Sequence, residues 1–197
     1  MWRRTSLFVL LVLGGCGGPE LPPLPPRAKV LAFGDSLTYG TGAAGQGYPE
    51  VLAELTDLAV VNAGVPGEVS ARGRERLPAL LEEHRPALVV LVHGGNDTLR
   101  NISPARTREN LIAMIEVSRS AGAEVVMLGV PGRNLTLSAP GYYRDVAVAA
   151  DVPIDLDVLP RLMRDRAVKS DSVHFNGRGY RLMAEAVRDL LEDSGAL

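Results

Sequence analysis

The chain has 197 residues, enough for one domain with a sizeable core. Hydrophobic residues make up 46% and charged residues 22%, which excludes a disordered chain, and a net charge of −2 offers nothing to a nucleic acid or another polyanion. The single cysteine, Cys16, rules out an intramolecular disulfide, so stability must come from packing.

The N-terminus reads as an export signal. Met1-Trp2-Arg3-Arg4 is basic, Leu7 to Leu13 is an unbroken apolar run, and Leu13-Gly14-Gly15-Cys16 matches the lipobox of bacterial lipoproteins. The apolar run is well short of the ~20 residues a spanning helix needs. Residues 1–15 are therefore expected to be a signal peptide. Cys16 would take the lipid and hold an exported chain at one face of a membrane in the bacterial cell envelope. The plainer alternative is an ordinary secretory signal with an incidental cysteine. Residues 16–28, with prolines at 19, 22, 23, 25 and 26, read as a stiff extended tether, since proline lacks the N–H for helix or ladder. No protein partner is implied by it.

Residues 29–197 form the expected domain. Apolar runs at Lys29–Gly34, Ala59–Asn62, Leu88–His93, Glu124–Gly129 and Val152–Asp155 alternate with helical segments. That alternation predicts an α/β fold with a five-stranded parallel sheet, and strands lacking strict two-residue alternation should be covered on both faces. Leu77, Leu80 and Leu81 mark one helical face. Ser103 and Pro104 predict an N-cap and first turn, with Leu111, Met114, Ile115 and Ser118 down one face and Gly122 as the stop. Asn176 predicts the cap of a last helix, with Met183, Ala186, Val187, Leu190 and Leu191 as its buried stripe.

Four segments carry chemistry. Gly34-Asp35-Ser36-Leu37 follows the first run, Asn62-Ala63-Gly64-Val65-Pro66-Gly67 the second, and Gly94-Gly95-Asn96-Asp97 the third. Asp171-Ser172-Val173-His174 stands near the C-terminus. In open parallel sheets, ligands bind beyond the carboxyl ends of the strands, where the first three segments fall. A serine hydroxyl is a poor nucleophile until an imidazole takes its proton, and that imidazole must be held in one tautomer. Ser36 is thus the expected nucleophile, His174 the base, and Asp171 its orienter. Asp35 is expected to hold the loop. Of the other histidines, His84 ends a helix, where a cation suits the dipole, and His93 has no carboxylate at comparable spacing before it. Asn96 is the expected side-chain oxyanion donor and the Ser36 N–H a second, with a glycine N–H, Gly64 or Gly67, as the third. As an exposed loop amide, Asn96 should contribute little to folding. Tyr142 and Tyr143 suit the acyl site or the core equally. No zinc-like cluster, EF-hand loop or P-loop is present in the sequence, so no metal or other cofactor is implied.

From about Lys29 onward these segments, with Arg76-Leu77-Pro78-Ala79-Leu80-Leu81 and Asn96-Asp97-Thr98-Leu99-Arg100, resemble the SGNH (GDSL) hydrolases. They are most similar to the bacterial thioesterase, arylesterase and lysophospholipase branch. The resemblance implies a three-layer α/β/α sandwich of flavodoxin-like type. It implies a serine esterase acting on acyl esters, thioesters or lysophospholipids through an acyl-serine intermediate. It also selects Gly67, ahead of Glu68 and Ser70, as the oxyanion glycine, and marks Thr98 to Ser103 as a substrate loop. Ser172 and Phe175 stand where relatives commonly carry glycine and proline, which bears on the local loop shape. Two other readings remain: a carbohydrate O-acetyl esterase, and a non-catalytic envelope lipoprotein binding glycan or lipid.

Overall fold

The computed structural model describes residues 18–132 and 137–197; Cys16 and the expected signal peptide lie outside them. Five parallel strands, β1 (Lys29–Gly34), β2 (Ala59–Gly64), β3 (Leu88–Val92), β4 (Glu124–Leu128) and β5 (Ile154–Asp155), form one sheet in the order β2-β1-β3-β4-β5. All five fall on the expected apolar runs. β3 is buried throughout, as a central strand covered on both faces must be. β2 is an edge and is buried only at Ala63. β5 is shorter than expected because Pro153 has no N–H for the ladder, although its carbonyl still accepts from Met127 N at 2.9 Å.

Among the described residues the α-helices are α1 (Ser36–Tyr39), α2 (Tyr48–Thr56), α3 (Ser70–His84), α4 (Gly95–Leu99), α5 (Pro104–Ser120), α6 (Tyr142–Ala150), α7 (Val158–Arg164) and α8 (Gly177–Asp193). α2 packs on α8, α3 on α5, and α5 on α6, giving the two outer layers of the sandwich. The stripe of α5 is as read from the sequence, with Thr107 added. In α8, Asn176 caps by accepting from Gly179 N at 3.1 Å. Its buried stripe is Tyr180, Met183, Ala184, Val187 and Leu191, while Ala186 and Leu190 are half-buried flanks. The expected stripe was rotated slightly because Tyr180, pinned by its hydroxyl to Thr41 O at 2.9 Å, fixes which side faces inward.

The segment expected as a tether is fastened to the domain from Leu21 onward. Leu21 N donates to Ser194 O at 2.8 Å and Leu24 N to Ala196 O at 2.9 Å, and Leu21 is only 7% exposed. This strap crosses the end of the sheet where the strands begin and where α8 finishes. The order of strands reverses between β1 and β3, so the cleft that the topology creates lies at the opposite end, above their carboxyl termini.

Candidate active site

Ser36 is the first residue of α1, two residues past the end of β1. Asp35 caps that helix, its Oδ1 accepting from Leu37 N at 3.0 Å. The turn from β1 into α1 thereby lifts the Ser36 hydroxyl above the sheet. Across the cleft, a tight turn after α7 carries His174. Asp171 Oδ1 accepts from Val173 N at 2.8 Å and His174 N at 2.9 Å, and Ser170 N donates to His174 O at 3.0 Å. The turn keeps its shape with Ser172, which needs no left-handed backbone there. Phe175 is fully buried, edge-on to Tyr180 at 5.6 Å, and so anchors the turn where relatives place proline.

These elements bring together the three residues read from the sequence. His174 Nε2 lies 3.0 Å from Ser36 Oγ, and His174 Nδ1 lies 2.7 Å from Asp171 Oδ2. Hydrogen bonds from the Val173 backbone and the His174 ring hold the Asp171 carboxyl down at about 2, so the side chain is an anion that favours a proton on Nδ1. That leaves Nε2 as the acceptor facing Ser36. The Asp171 side chain is 51% exposed, an open position for an orienting carboxylate.

Asn96 opens α4 beyond β3, and its Nδ2 donates to Asp35 Oδ2 at 2.9 Å. The amide is half-buried and bonded to a 2%-exposed carboxyl, where the sequence predicts an exposed loop amide. Gly95 permits this close approach: a Cβ there would sit 2.9 Å from Val130 Cγ1. The two candidate glycines separate cleanly. Gly64 abuts α1, where a Cβ would stand 2.0 Å from Tyr39 N, and its own N–H goes to Asn62 Oδ1 at 3.1 Å. Gly67 has φ 76° and lines the cleft with Ser36 and Asn96.

Behind these residues stands a set of polar groups whose mutual contacts the motifs did not reveal. Asp97, 1% exposed, accepts from Ser70 N at 2.8 Å, from the Ser70 hydroxyl, and from Thr107 Oγ1 at 3.3 Å. Glu68 receives Arg76 Nε at 3.0 Å and Nη2 at 2.7 Å, and lies 3.2 Å from His93 Nε2. Burial alone would raise the Glu68 carboxyl, but the hydrogen bonds from His93 and Arg76 outweigh it and hold it at about 2. His93 is fully buried in this contact and away from the cleft, and His84 sits in the last turn of α3. Tyr142 and Tyr143 are core residues. Tyr143 donates to His93 O at 2.7 Å beneath Gly94, and neither ring lines the cleft. The Thr98–Ser103 segment finishes α4 and turns, with Leu99 on the cleft and Arg100 Nη2 donating to Gly67 O at 2.8 Å.

The cleft has a volume of about 350 Å³ and apolar walls from Leu37, Leu99, Val130, Leu137, Met163 and Val173. Val130 and Leu137 come from the segment beyond β4 and Met163 from α7, which no motif marks. The arrangement can activate a hydroxyl beside an apolar slot and offer N–H groups to an oxygen developing charge.

Known proteins resemble this chain over most of its length. The signature of the GDSL-like lipase/acylhydrolase family matches residues 32–182. Esterase TesA of Pseudomonas aeruginosa is 42% identical over 127 residues, covering 61% of this chain and 63% of that protein, under two thirds of its length. Thioesterase 1/protease 1/lysophospholipase L1 of Escherichia coli is 32% identical over 188 residues, covering 89% of this chain and 85% of that one. A crystal structure of TesA superposes with a TM-score of 0.76 at 32% identity, covering 83% of this chain and 98% of that structure.

Proposed function

Because this chain belongs to the GDSL-like lipase/acylhydrolase family, we propose that it is a serine hydrolase of acyl esters and thioesters. The observation that carries this reading is the continuous hydrogen-bonded line from Ser36 through His174 to Asp171. Ser36 Oγ attacks the substrate carbonyl as its proton passes to His174 Nε2, and Asp171 stabilises the imidazolium. The carbonyl oxygen gains charge and is met by the N–H groups of Ser36, Gly67 and the Asn96 side chain. His174 then gives the proton to the departing alcohol or thiol, leaving an acyl-serine. Water, deprotonated by His174, releases the acid and restores Ser36. The apolar walls of the cleft favour aliphatic or aryl esters over the ester of a polar sugar, and so favour this reading over carbohydrate deacetylation.

The lipobox supports export and lipid attachment at Cys16. Gly18 lies beside Asp193 and Ser194, at the end of the sheet opposite the cleft. An anchor attached through Cys16 would join the described domain at that end, so esters arriving from the aqueous side would suit the site better than lipids of the anchoring leaflet.

The test is direct. A fluorophosphonate should label Ser36, short aryl esters should be cleaved with a chelator present, and Ser36→Ala or His174→Ala should each lose on the order of 10⁶ in turnover. Retained activity of Ser36→Ala would end the proposal.

A further inference from the structure

Asp35 caps α1 with one carboxylate oxygen, yet a helix cap needs no more than one acceptor, and Asn, Ser or Thr serve equally well. Its second oxygen, Oδ2, accepts from Asn96 Nδ2 at 2.9 Å across 61 residues of sequence. The side chain is 2% exposed, and burial pushes its pKa up, so keeping an acid here costs stability that the cap alone does not require. Two acceptors on one short side chain are what the position demands: one for the helix that presents Ser36, the other for the amide that faces the cleft.

We propose that Asp35 is a positioning residue that aims Asn96, holding one N–H of its carboxamide so that the other points at the oxygen of the tetrahedral intermediate. An amide nitrogen is planar, so fixing one N–H sets the other about 120° away. The amide lies between the carboxylate and the oxyanion and keeps the two charges apart. Gly95 lets the Asn96 loop pack closely here, since a Cβ there would lie 2.9 Å from Val130 Cγ1. The same carboxylate therefore couples the nucleophile's helix to a donor of the oxyanion hole. This inference rests on the hydrolase reading above.

The variant that separates the two duties is Asp35→Asn. Its single oxygen can serve Leu37 N–H or the Asn96 amide but not both, and its NH₂ then faces a donor. Released from its partner, the Asn96 amide misaims, and kcat should fall on the order of 10²-fold, the usual cost of a displacement of ~1 Å in a reacting constellation. KM should change little. In an Asn96→Ala background, adding Asp35→Asn should cost no more than about 2-fold, the range of ordinary additivity error. Losses that multiply in the double variant would overturn the proposal, because Asp35 would then act independently of Asn96. A measurement on the unmodified enzyme covers the case in which Asp35→Asn does not fold. By NMR, one Asn96 amide proton should be protected from solvent exchange, and the other should shift when a phosphonate occupies Ser36. Two protons that exchange and shift alike would also overturn it. Failure of the hydrolase reading would look different, as activity surviving Ser36→Ala.

Discussion

Removing the charge of Asp171 should cost this enzyme less than it costs proteases whose triad carboxylate is buried. The Asp171 carboxylate lies 2.7 Å from His174 Nδ1 with its side chain 51% exposed. At an effective dielectric constant between about 40 and 80, unit charges at that separation interact by about 1.5–3 kcal/mol. Lost from the imidazolium-like transition state, that is a factor of about 10–200 in rate. Asp171→Ala should therefore lower kcat/KM by that factor, against the order of 10⁴ seen on removing or neutralising a protease triad carboxylate. Water can replace the lost acceptor at the Val173 and His174 N–H groups because the turn is open to solvent. Asp171→Asn should cost more than Asp171→Ala. The two backbone N–H groups draw its oxygen, turning its NH₂ toward Nδ1 and favouring the tautomer that cannot accept from Ser36. Initial rates on a p-nitrophenyl ester, with a melting curve for each variant, measure both effects. A 10⁴-fold loss in Asp171→Ala, or a rate equal to wild type, would refute the argument from exposure.

Asn96→Ala should lower kcat by about 10²–10³ with a small change in KM, and should also lower stability by about 1–3 kcal/mol by leaving buried Asp35 short of a partner; both read out on one sample. A chain trimmed to begin at Lys29 should melt several degrees below one beginning at Gly18, since burial of Leu21 is worth about 1.5–3 kcal/mol. Glu68 and Asp171 are both held at about 2, below their ordinary values, so the stability they contribute is present above pH ~4.5 and is lost as pH falls toward 2. Glu68→Gln should therefore melt lower at neutral pH and show a shallower decline through that acid range. If wild type and Glu68→Gln decline in parallel, the Glu68–Arg76–His93 contact contributes nothing. Detergent partitioning and intact mass of the exported protein should report acylation at Cys16, abolished in Cys16→Ser; a freely soluble, unmodified chain would rule the anchor out.

The sheet and the meeting of Ser36, His174 and Asp171 were legible for separate physical reasons. Parallel strands covered by helices are apolar on both faces, so β1, β3 and β4 stand out as short unbroken runs, and the site segments follow at their carboxyl ends. An aspartate three residues before a histidine on a turn can reach its ring, which distinguishes His174 from His93 and His84. What sequence could not show depends on distant contacts. Leu21 and Leu24 look like tether residues because two leucines among prolines carry no period, yet they close over the end of α8. Tyr142 and Tyr143 could have faced either way, and the packing of their rings 4.6 Å apart and the hydrogen bond to His93 O place Tyr143 in the core. The cleft walls at Val130, Leu137 and Met163 come from connections without a motif, so nothing local announces them.

Three carboxylates illustrate how the chemical and structural layers are interleaved. Each is the chain neighbour of a site residue: Asp35 precedes Ser36, Glu68 follows Gly67, and Asp97 follows Asn96. Adjacent side chains on a turn point different ways, so when one faces the cleft its neighbour is free to turn inward. Asp35 takes the Asn96 amide, Asp97 takes the Ser70 backbone and hydroxyl three residues past Gly67, and Glu68 takes Arg76 and His93 at the end of β3. The loops bearing Ser36, Asn96 and Gly67 are thus tied to one another in turn, each by a carboxyl group withdrawn from solvent. Oxyanion stabilisation works only if the donors are already in place when charge appears, and a flexible loop would spend that advantage on reorganisation. Bonds of this kind cost desolvation and return it as fixed geometry. Under the proposed mechanism, the acidic residues flanking Ser36, Gly67 and Asn96 therefore serve catalysis by fixing the loops, as the residues that touch the substrate serve it by contact.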